Sequence, residues 1–325
     1  MSIGILGGGA WGTALACVLA GKNIGVKLWA READVAASIA GGDGNPCFLP
    51  GVNLPMGIAA SASLRSLSAC DIWLVAVPAQ HLRGVLDEAR PEGRTLVLCA
   101  KGIEAGTHKL MSEVAAEVAP EASLAVLSGP TFAAEVANGK PTAVTLAAHD
   151  AMLGASLVDL LATPRFRPYL SDDVTGAEIG GAVKNVLAIA CGVVIGRGLG
   201  ENARAALLAR GYAEMLRFAV ARGGRAETLA GLSGIGDLVL TCGSAQSRNL
   251  SLGIAIGKGR PVIDLLLDRV TVAEGAATAP VLVEAAAAAC GVDMPIAATV
   301  AALLNGAPVG PAIDALLARP LRGEE

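Results

Sequence analysis

Aromatic side chains are scarce: three Trp, two Tyr and four Phe make up 3% of 325 residues. Hydrophobic residues still account for 53%, so the core must be filled by alanine and branched aliphatics, material suited to tightly packed helices. That share also excludes a disordered chain. Charge is thin at 17%, and the 25 Lys and Arg residues form no basic block against a net charge of −4. The electrostatic footprint of a nucleic-acid binder is therefore missing. There are three histidines, His81, His108 and His149, no two at ligand spacing, so no metal site is expected. The seven cysteines contain no CxxC pair. An odd, scattered set of thiols reads as a reduced chain and hence a cytoplasmic one.

Membrane signals are equally weak. The apolar opening, "MSIGILGGGAWGTALACVLAG", lacks a basic leader and is interrupted by glycines. The strongest candidate for a span, Gly180 to Gly196, is divided by Lys184, which leaves no uncharged run of about 18 residues. A soluble protein is expected. There is no internal repeat of solenoid period and no low-complexity tail.

The first half alternates short aliphatic or β-branched runs with longer helical patterns. Strands are expected at Ser2–Leu6, Gly25–Ala30, Ala69–Val77, Thr95–Cys99, Leu124–Leu127 and Thr142–Leu146, an α/β order that predicts a parallel, doubly wound sheet. Beyond about Leu170 the pattern becomes Ala, Leu and Val at helical spacing, broken by glycines. Two domains follow: residues 1–170 form a dinucleotide-binding unit, and residues 171–325 an all-helical unit for substrate and catalysis.

Five stretches can carry chemistry. In "GILGGGAWGTALA", Gly7, Gly9 and Gly12 stand in GxGxxG spacing between a strand and a helix. Such glycines serve a tight turn, the approach of pyrophosphate to the backbone, and close packing of helix on strand. About 20 residues on, "LWARE" holds Arg31, suited to the 2′-phosphate of NADP, beside Glu32, which keeps NAD open. Lys101 in "AKGIE" follows a strand at the carboxyl edge of the sheet, as a site residue or an ordinary loop lysine. Gly129 and Thr131 in "SGPTFAAE" can offer backbone and hydroxyl donors to an anion, or belong to a plain loop. Lys184, with Asn185, stands in "GGAVKNVLAIACGVVIG". It is either a lysine that escapes to water along its stem or a proton-transfer group with a lowered pKa. In the second case Gly180 and Gly181, on the same helical face, leave room for a ligand. In "GLSGIGDLVLTCGSAQSRNLSLG", Asp237 is a helix cap or the counter-charge of Lys184, while Arg248 and Asn249 after Ser247 suit a phosphate.

Taken together these motifs resemble the NAD(P)-dependent glycerol-3-phosphate dehydrogenases of bacterial type. "GGGAWGTALA", "LWAR", "AKGIE", "SGPTFAAEVANGKPTAV", "GGAVKNVLAIACG", "GLGEN", "GLSGIGDLVLTC", "QSRN" and "VAEG" occur in the family's order along nearly the whole chain. The resemblance implies an N-terminal Rossmann domain, a helical C-terminal domain, and reversible reduction of dihydroxyacetone phosphate to sn-glycerol 3-phosphate for phospholipid synthesis. It implies cofactor contacts from Gly7, Gly9, Trp11, Gly12, Arg31, Lys101, Ala133 and Arg248, joined by Val272 and Glu274. Substrate contacts are implied for Lys101, Gly129, Thr131, Asp237, Ser247, Arg248 and Asn249. Lys184 is implied as proton donor and acceptor, oriented by Asp237 and Asn185. NADP is the expected cofactor, with NAD as the alternative, and no metal is required.

The chain departs from the family pattern at Ala10, where many members carry serine, at Glu201, usually aspartate, and at Ala203, often threonine. At Ala10 only backbone donors remain for the pyrophosphate. Rival readings are a two-domain dehydrogenase acting on a hydroxyacid or sugar acid, which Arg248 and Asn249 disfavour, and a non-catalytic NADP sensor. The second predicts loss of Lys184, Asp237 and Arg248, yet all three are present. A homodimer is admitted as a partner, with nothing in the sequence that requires it.

Overall fold

The computed structural model describes residues 2–267, 273–288 and 291–320. Its strands are β1 (Ser2–Leu6), β2 (Gly25–Trp29), β3 (Ile58–Ser61), β4 (Ile72–Val75), β5 (Thr95–Leu98), β6 (Ser123–Ser128), β7 (Thr142–Ala147) and β8 (Phe166–Ser171). They form one eight-stranded sheet in the order β3-β2-β1-β4-β5-β6-β7-β8. Helices α1 (Ala10–Ala20), α2 (Ala33–Gly41), α3 (Leu82–Ala89), α4 (Met111–Val118), α5 (Ala133–Ala137) and α6 (Ala151–Leu161) lie between the strands.

Alternate residues of each strand feed different cores. Ile3, Ile5, Leu74, Val97, Leu127 and Leu146 pack with α1, α2 and α6 on one face. On the other, Trp73, Val75, Leu96, Leu98 and Val126 pack with α3 and α4. With both faces covered, the strands read as near-continuous apolar runs, which is what made most of them visible. The order reverses between β1 and β4, so a crevice opens outside their carboxyl ends, at Gly7 and Ala76.

Two strands escape the sequence pattern, both at the sheet's edges. β3 reads "IAAS", too rich in alanine to signal a strand, and β8 reads "FRPYLS", with Pro168 inside it. An edge strand has one row of backbone groups outside the ladder, so a missing N–H is tolerated there. The sheet is also not wholly parallel, because β7 runs antiparallel to β6. Between them α5 has five residues and rises only about 7.5 Å, whereas recrossing a six-residue strand takes about 20 Å. The chain therefore returns from the edge at which it left, which keeps "SGPTFAAE" at the carboxyl end of β6.

After Ser171 the described residues are helical: α7 (Val174–Gly196), α8 (Glu201–Ala221), α9 (Ala226–Leu229), α10 (Asp237–Gly243), α11 (Arg248–Gly257), α12 (Val262–Leu267), α13 (Glu274–Ala288), α14 (Pro295–Leu304) and α15 (Val309–Leu317). One π turn, Leu232–Gly236, leads into α10. Helix α7 is long and apolar enough to cross a membrane, but 89% of its most apolar window is buried inside the fold. It is the axis around which the other helices pack.

The shortage of aromatics is matched by backbone contact. A Cβ on Gly192 would lie 2.2 Å from the Leu250 carbonyl oxygen and 2.8 Å from the Gly253 Cα, and one on Gly253 would lie 2.0 Å from the Ile189 oxygen. Gly196 and Gly257 repeat the contact one turn on, with each Cβ position 3.0 Å from the other residue's Cα. Helices α7 and α11 thus cross with no side chain between them at these four glycines.

Gly192→Ala should lower Tm, because an overlap with backbone costs about 1–3 kcal/mol or more and outweighs alanine's helix propensity of about 1 kcal/mol. Gly84→Ala is the control of opposite sign. Gly84 stands in α3 with open space around its Cβ position, so Tm should rise; equal shifts in the two variants would contradict the packing argument.

Candidate active site

The glycine-rich turn after β1 divides its work among three residues. Gly7 has φ +127, and a Cβ there would meet the Ala76 carbonyl oxygen at 2.7 Å. A Cβ on Gly12 would lie 2.0 Å from the Gly7 oxygen, so it allows α1 to sit against the turn. Gly9, the N-cap of α1, has no atom within 4 Å of its Cβ position. Open space above a helix N-terminus, whose first N–H groups have no intrahelical acceptor, fits a pyrophosphate.

The start of α1, directly after that turn, forms one wall of a cleft of about 370 Å³ between the sheet and the helices. Ala10, Trp11, Lys101, Thr131 and Ala133 line it from the sheet side; Lys184, Asn185, Ser247, Arg248, Asn249 and Glu274 line it from the helical side. Residues 48–50, Phe, Leu and Pro, complete the wall beside Trp11.

At the floor of the cleft one carboxylate serves two lysines. Lys184 Nζ donates to Asp237 Oδ1 at 2.6 Å and to Thr241 Oγ1 at 2.9 Å. Lys101 Nζ donates to Asp237 Oδ2 at 2.6 Å and to the Gly129 carbonyl at 3.0 Å. Thr241 Oγ1 donates in turn to Asp237 Oδ1 at 3.2 Å. Each ammonium has three N–H groups, so one remains on each lysine for a ligand in the cleft both line. Burial is the largest influence on Lys184 and lowers its pKa to about 8; Asp237 opposes that, and the Lys101 charge adds to it.

Asp237 itself is fully buried and is the counter-ion of both lysines. Gly129, at φ +144, accepts from Lys101 through its carbonyl, and Thr131 Oγ1 donates to the same oxygen at 3.3 Å. Asn185 pairs with Asn249. Its Oδ1 accepts from Asn249 Nδ2 at 2.9 Å, and Asn249 Oδ1 accepts from the Gly275 N–H at 3.0 Å, which ties α7, α11 and the start of α13 together.

Gly180 and Gly181 leave no room for substrate. A Cβ on Gly180 would lie 2.3 Å from the Ser233 carbonyl oxygen in the π turn, and one on Gly181 would lie 2.9 Å from Ser128 Oγ and 3.2 Å from Lys101 Cγ. The space serves protein groups. Gly180 meets Ser233 four residues before Lys184 meets Asp237, so the close approach sets the lysine and the carboxylate in register.

Ser247 caps α11 by accepting from the Leu250 N–H at 3.2 Å, and its hydroxyl hydrogen is left to donate. Arg248 and half-buried Glu274 face each other; burial raises the Glu274 pKa, while Arg248, Lys101 and Lys184 oppose the rise. Arg31 lies outside this cleft, exposed in a second groove with Ser63, Arg65 and His81 beyond β2 and β3. Val272 falls outside the described residues. Sequence reasoning missed Thr241, although its place four residues after Asp237 is the helical spacing that would reveal it.

Known proteins bear on this arrangement. Family models described as the N-terminus and the C-terminus of NAD-dependent glycerol-3-phosphate dehydrogenase match residues 2–154 and 173–312. The chain belongs to this family. It is 59% identical over 322 residues to the glycerol-3-phosphate dehydrogenase, NAD(P)+, of Erythrobacter litoralis, covering 99% of this chain and 97% of that one. With the Caulobacter vibrioides protein of the same name it shares 53% over 326 residues, covering 99% and 98%. The crystal structure of glycerol-3-phosphate dehydrogenase from Coxiella burnetii superposes with a TM-score of 0.93 at 38% identity, over 98% of this chain and 99% of that one. Family membership thus covers both walls of the cleft.

Asp237→Asn should remove the shared counter-ion and leave two partly desolvated ammonium groups. Breaking a buried pair costs on the order of 3–5 kcal/mol, so Tm should fall. The Lys184 pKa should fall below its value of about 8, because the largest opposing influence is gone. A Tm and a pH–activity profile both unchanged from the parent would refute the role given to Asp237.

Proposed function

We propose that the protein reversibly reduces dihydroxyacetone phosphate to sn-glycerol 3-phosphate with NAD(P)H, and that Lys184 is its proton donor and acceptor. The observation that carries the reading is the buried Lys184 ammonium at the cleft floor, held by Asp237 and Thr241 with one N–H to spare. Family membership supplies the substrate class.

When bound, the reduced nicotinamide supplies a hydride. Gly7, Gly9, Gly12 and the first turn of α1 receive its pyrophosphate, with Trp11 and Ala133 on the neighbouring wall. Arg31 takes a 2′-phosphate in the outer groove, which makes NADP the preferred cofactor and NAD the alternative. Glu274 stands at the rim of the cleft, and Val272 is retained as its companion.

On the helical side, Arg248, Asn249, Ser247 and Thr131 hold the substrate phosphate, the first through charge and the others through hydrogen bonds. Asn185 keeps Asn249 in place. As negative charge develops on the C2 oxygen, the free N–H of Lys184 stabilises it and the proton follows; the free N–H of Lys101 supplies a second donor. In the reverse direction neutral Lys184 takes the proton from the C2 hydroxyl. The same reading extends to a cytoplasmic enzyme, paired at most with a second copy of itself, whose product feeds phospholipid synthesis. The acidic chain and its scattered thiols support that setting.

Addition of dihydroxyacetone phosphate should cause NADPH oxidation, followed by loss of absorbance at 340 nm. Lys184→Met should reduce kcat by about 10²–10⁴, the usual contribution of a general acid, with little change in NADPH affinity; a variant within tenfold of the parent would sink the assignment. Lys184 is charged below its pKa of about 8 and neutral above it. kcat/KM for reduction should therefore fall as pH rises through about 8, and that for oxidation should rise.

Arg31→Ala should weaken use of NADPH selectively. Loss of a charged hydrogen bond costs about 1.5–3 kcal/mol, so kcat/KM with NADPH should drop by about tenfold or more while that with NADH holds. An unchanged ratio between the two cofactors would remove Arg31 from the site.

A further inference from the structure

Residues 45–50 form a compact turn that hangs over the glycine-rich loop, and one side chain holds the two together. Asn45 is 1% exposed. Its Nδ2 donates to the Gly8 carbonyl at 2.9 Å and to Thr13 Oγ1 at 2.8 Å, and its Oδ1 accepts from the Phe48 N–H at 3.1 Å. Thr13 Oγ1 donates to the same Gly8 oxygen at 3.4 Å, and the Asn45 carbonyl accepts from the Leu49 N–H at 2.8 Å. A carboxamide nitrogen has two hydrogens, and both are used here. The orientation of the amide is forced, since Gly8 offers only an acceptor and the Phe48 N–H only a donor.

The consequence lies in peptide geometry. Across a planar trans peptide the carbonyl of one residue and the N–H of the next point in opposite directions. Anchoring the Gly8 oxygen inward on Asn45 and Thr13 therefore aims the Gly9 N–H outward, at the residue whose Cβ position is open. Gly8 packs directly against β2's end, where an added Cβ would lie 2.4 Å from the Ala30 Cβ, so only glycine fits at this point of the turn. The same amide closes the turn that carries residues 48–50 onto the cleft wall.

We propose that Asn45 is a positioning residue for the dinucleotide: its buried carboxamide fixes the glycine-rich turn in its pyrophosphate-receiving form and couples that turn to the wall formed by residues 48–50. It governs cofactor affinity and leaves the chemical step alone. The inference rests on the reading of this cleft as a dinucleotide site. It follows from contacts 37 and 32 residues apart in the chain, between a loop and the glycine turn.

The test separates binding from turnover. Asn45→Asp keeps the shape but sets an oxygen against the Gly8 oxygen. The Kd for NADPH, read by quenching of tryptophan fluorescence without substrate, should rise about tenfold or more, as expected when a buried acceptor loses its donor. The KM for NADPH should rise in parallel, while kcat at saturating NADPH and the KM for dihydroxyacetone phosphate stay within about threefold. Thr13→Val provides an independent variant should Asn45→Asp fail to fold. It should weaken NADPH binding in the same sense, and Thr13→Ser, which keeps the hydroxyl, should restore it. The proposal is overturned if folded Asn45→Asp or Thr13→Val binds NADPH as the parent does, or if kcat falls while Kd stays put. A parent protein that binds neither NADPH nor NADH overturns the dinucleotide reading along with it.

Discussion

One carboxylate between two ammonium groups is the constraint on which the site depends. Asp237 is fully buried, and taking an isolated carboxylate or ammonium out of water costs several kcal/mol even after relaxation. The cost is offset only if every partner arrives at hydrogen-bond distance. Both oxygens of Asp237 meet that condition at 2.6 Å, one with Lys184 and one with Lys101. Two positive charges and one negative leave a net positive charge at the cleft floor, complementary to an anionic substrate and to an oxyanion that forms from it.

Much of the helical architecture answers to that contact. Lys184 lies on α7, which is buried over most of its length, and its reach to Asp237 is set by how closely the π turn can approach. Gly180 permits that approach, since any larger residue would strike the Ser233 carbonyl. A π turn shifts the register of the following helix relative to a continuous α-helix, and it ends at Asp237. The glycines of α7 are therefore a packing device from one end to the other: against the π turn at Gly180, against Lys101 at Gly181, against α11 at Gly192 and Gly196. A chain poor in aromatics can bury its backbone this tightly because few large side chains hold its helices apart.

What the sequence made legible follows the same physics. The glycine turn, the central strands and the buried helix around Lys184 are local patterns, and each is read from a few neighbouring residues. The direction of β7 depends on how short α5 is, and β3 and β8 are edge strands whose alanines and Pro168 carry little strand signal. Gly180 and Gly181 look like free space in a sequence, because absence of a side chain says nothing about what fills the gap. The hydrogen-bond partner of Asn185 is Asn249, which a sequence does not show because the two lie on different helices. Asn45 was silent for a simpler reason: its chemistry consists of two contacts with a distant turn.

The two lysines are not equivalent, although they share an anion. Lys184, Thr241 and Asp237 all belong to the helical part, so their mutual distances are set within one packed unit. Lys101 comes from the loop after β5, and its bond to Asp237 crosses from the sheet to the helices. A rotation of one part against the other would stretch the Lys101 contact, while Lys184 would keep its counter-ion. Lys184 is thus held by bonds made within the helical part alone. The second cation is positioned only when sheet and helices are together, which is also when both walls of the cleft face a common ligand.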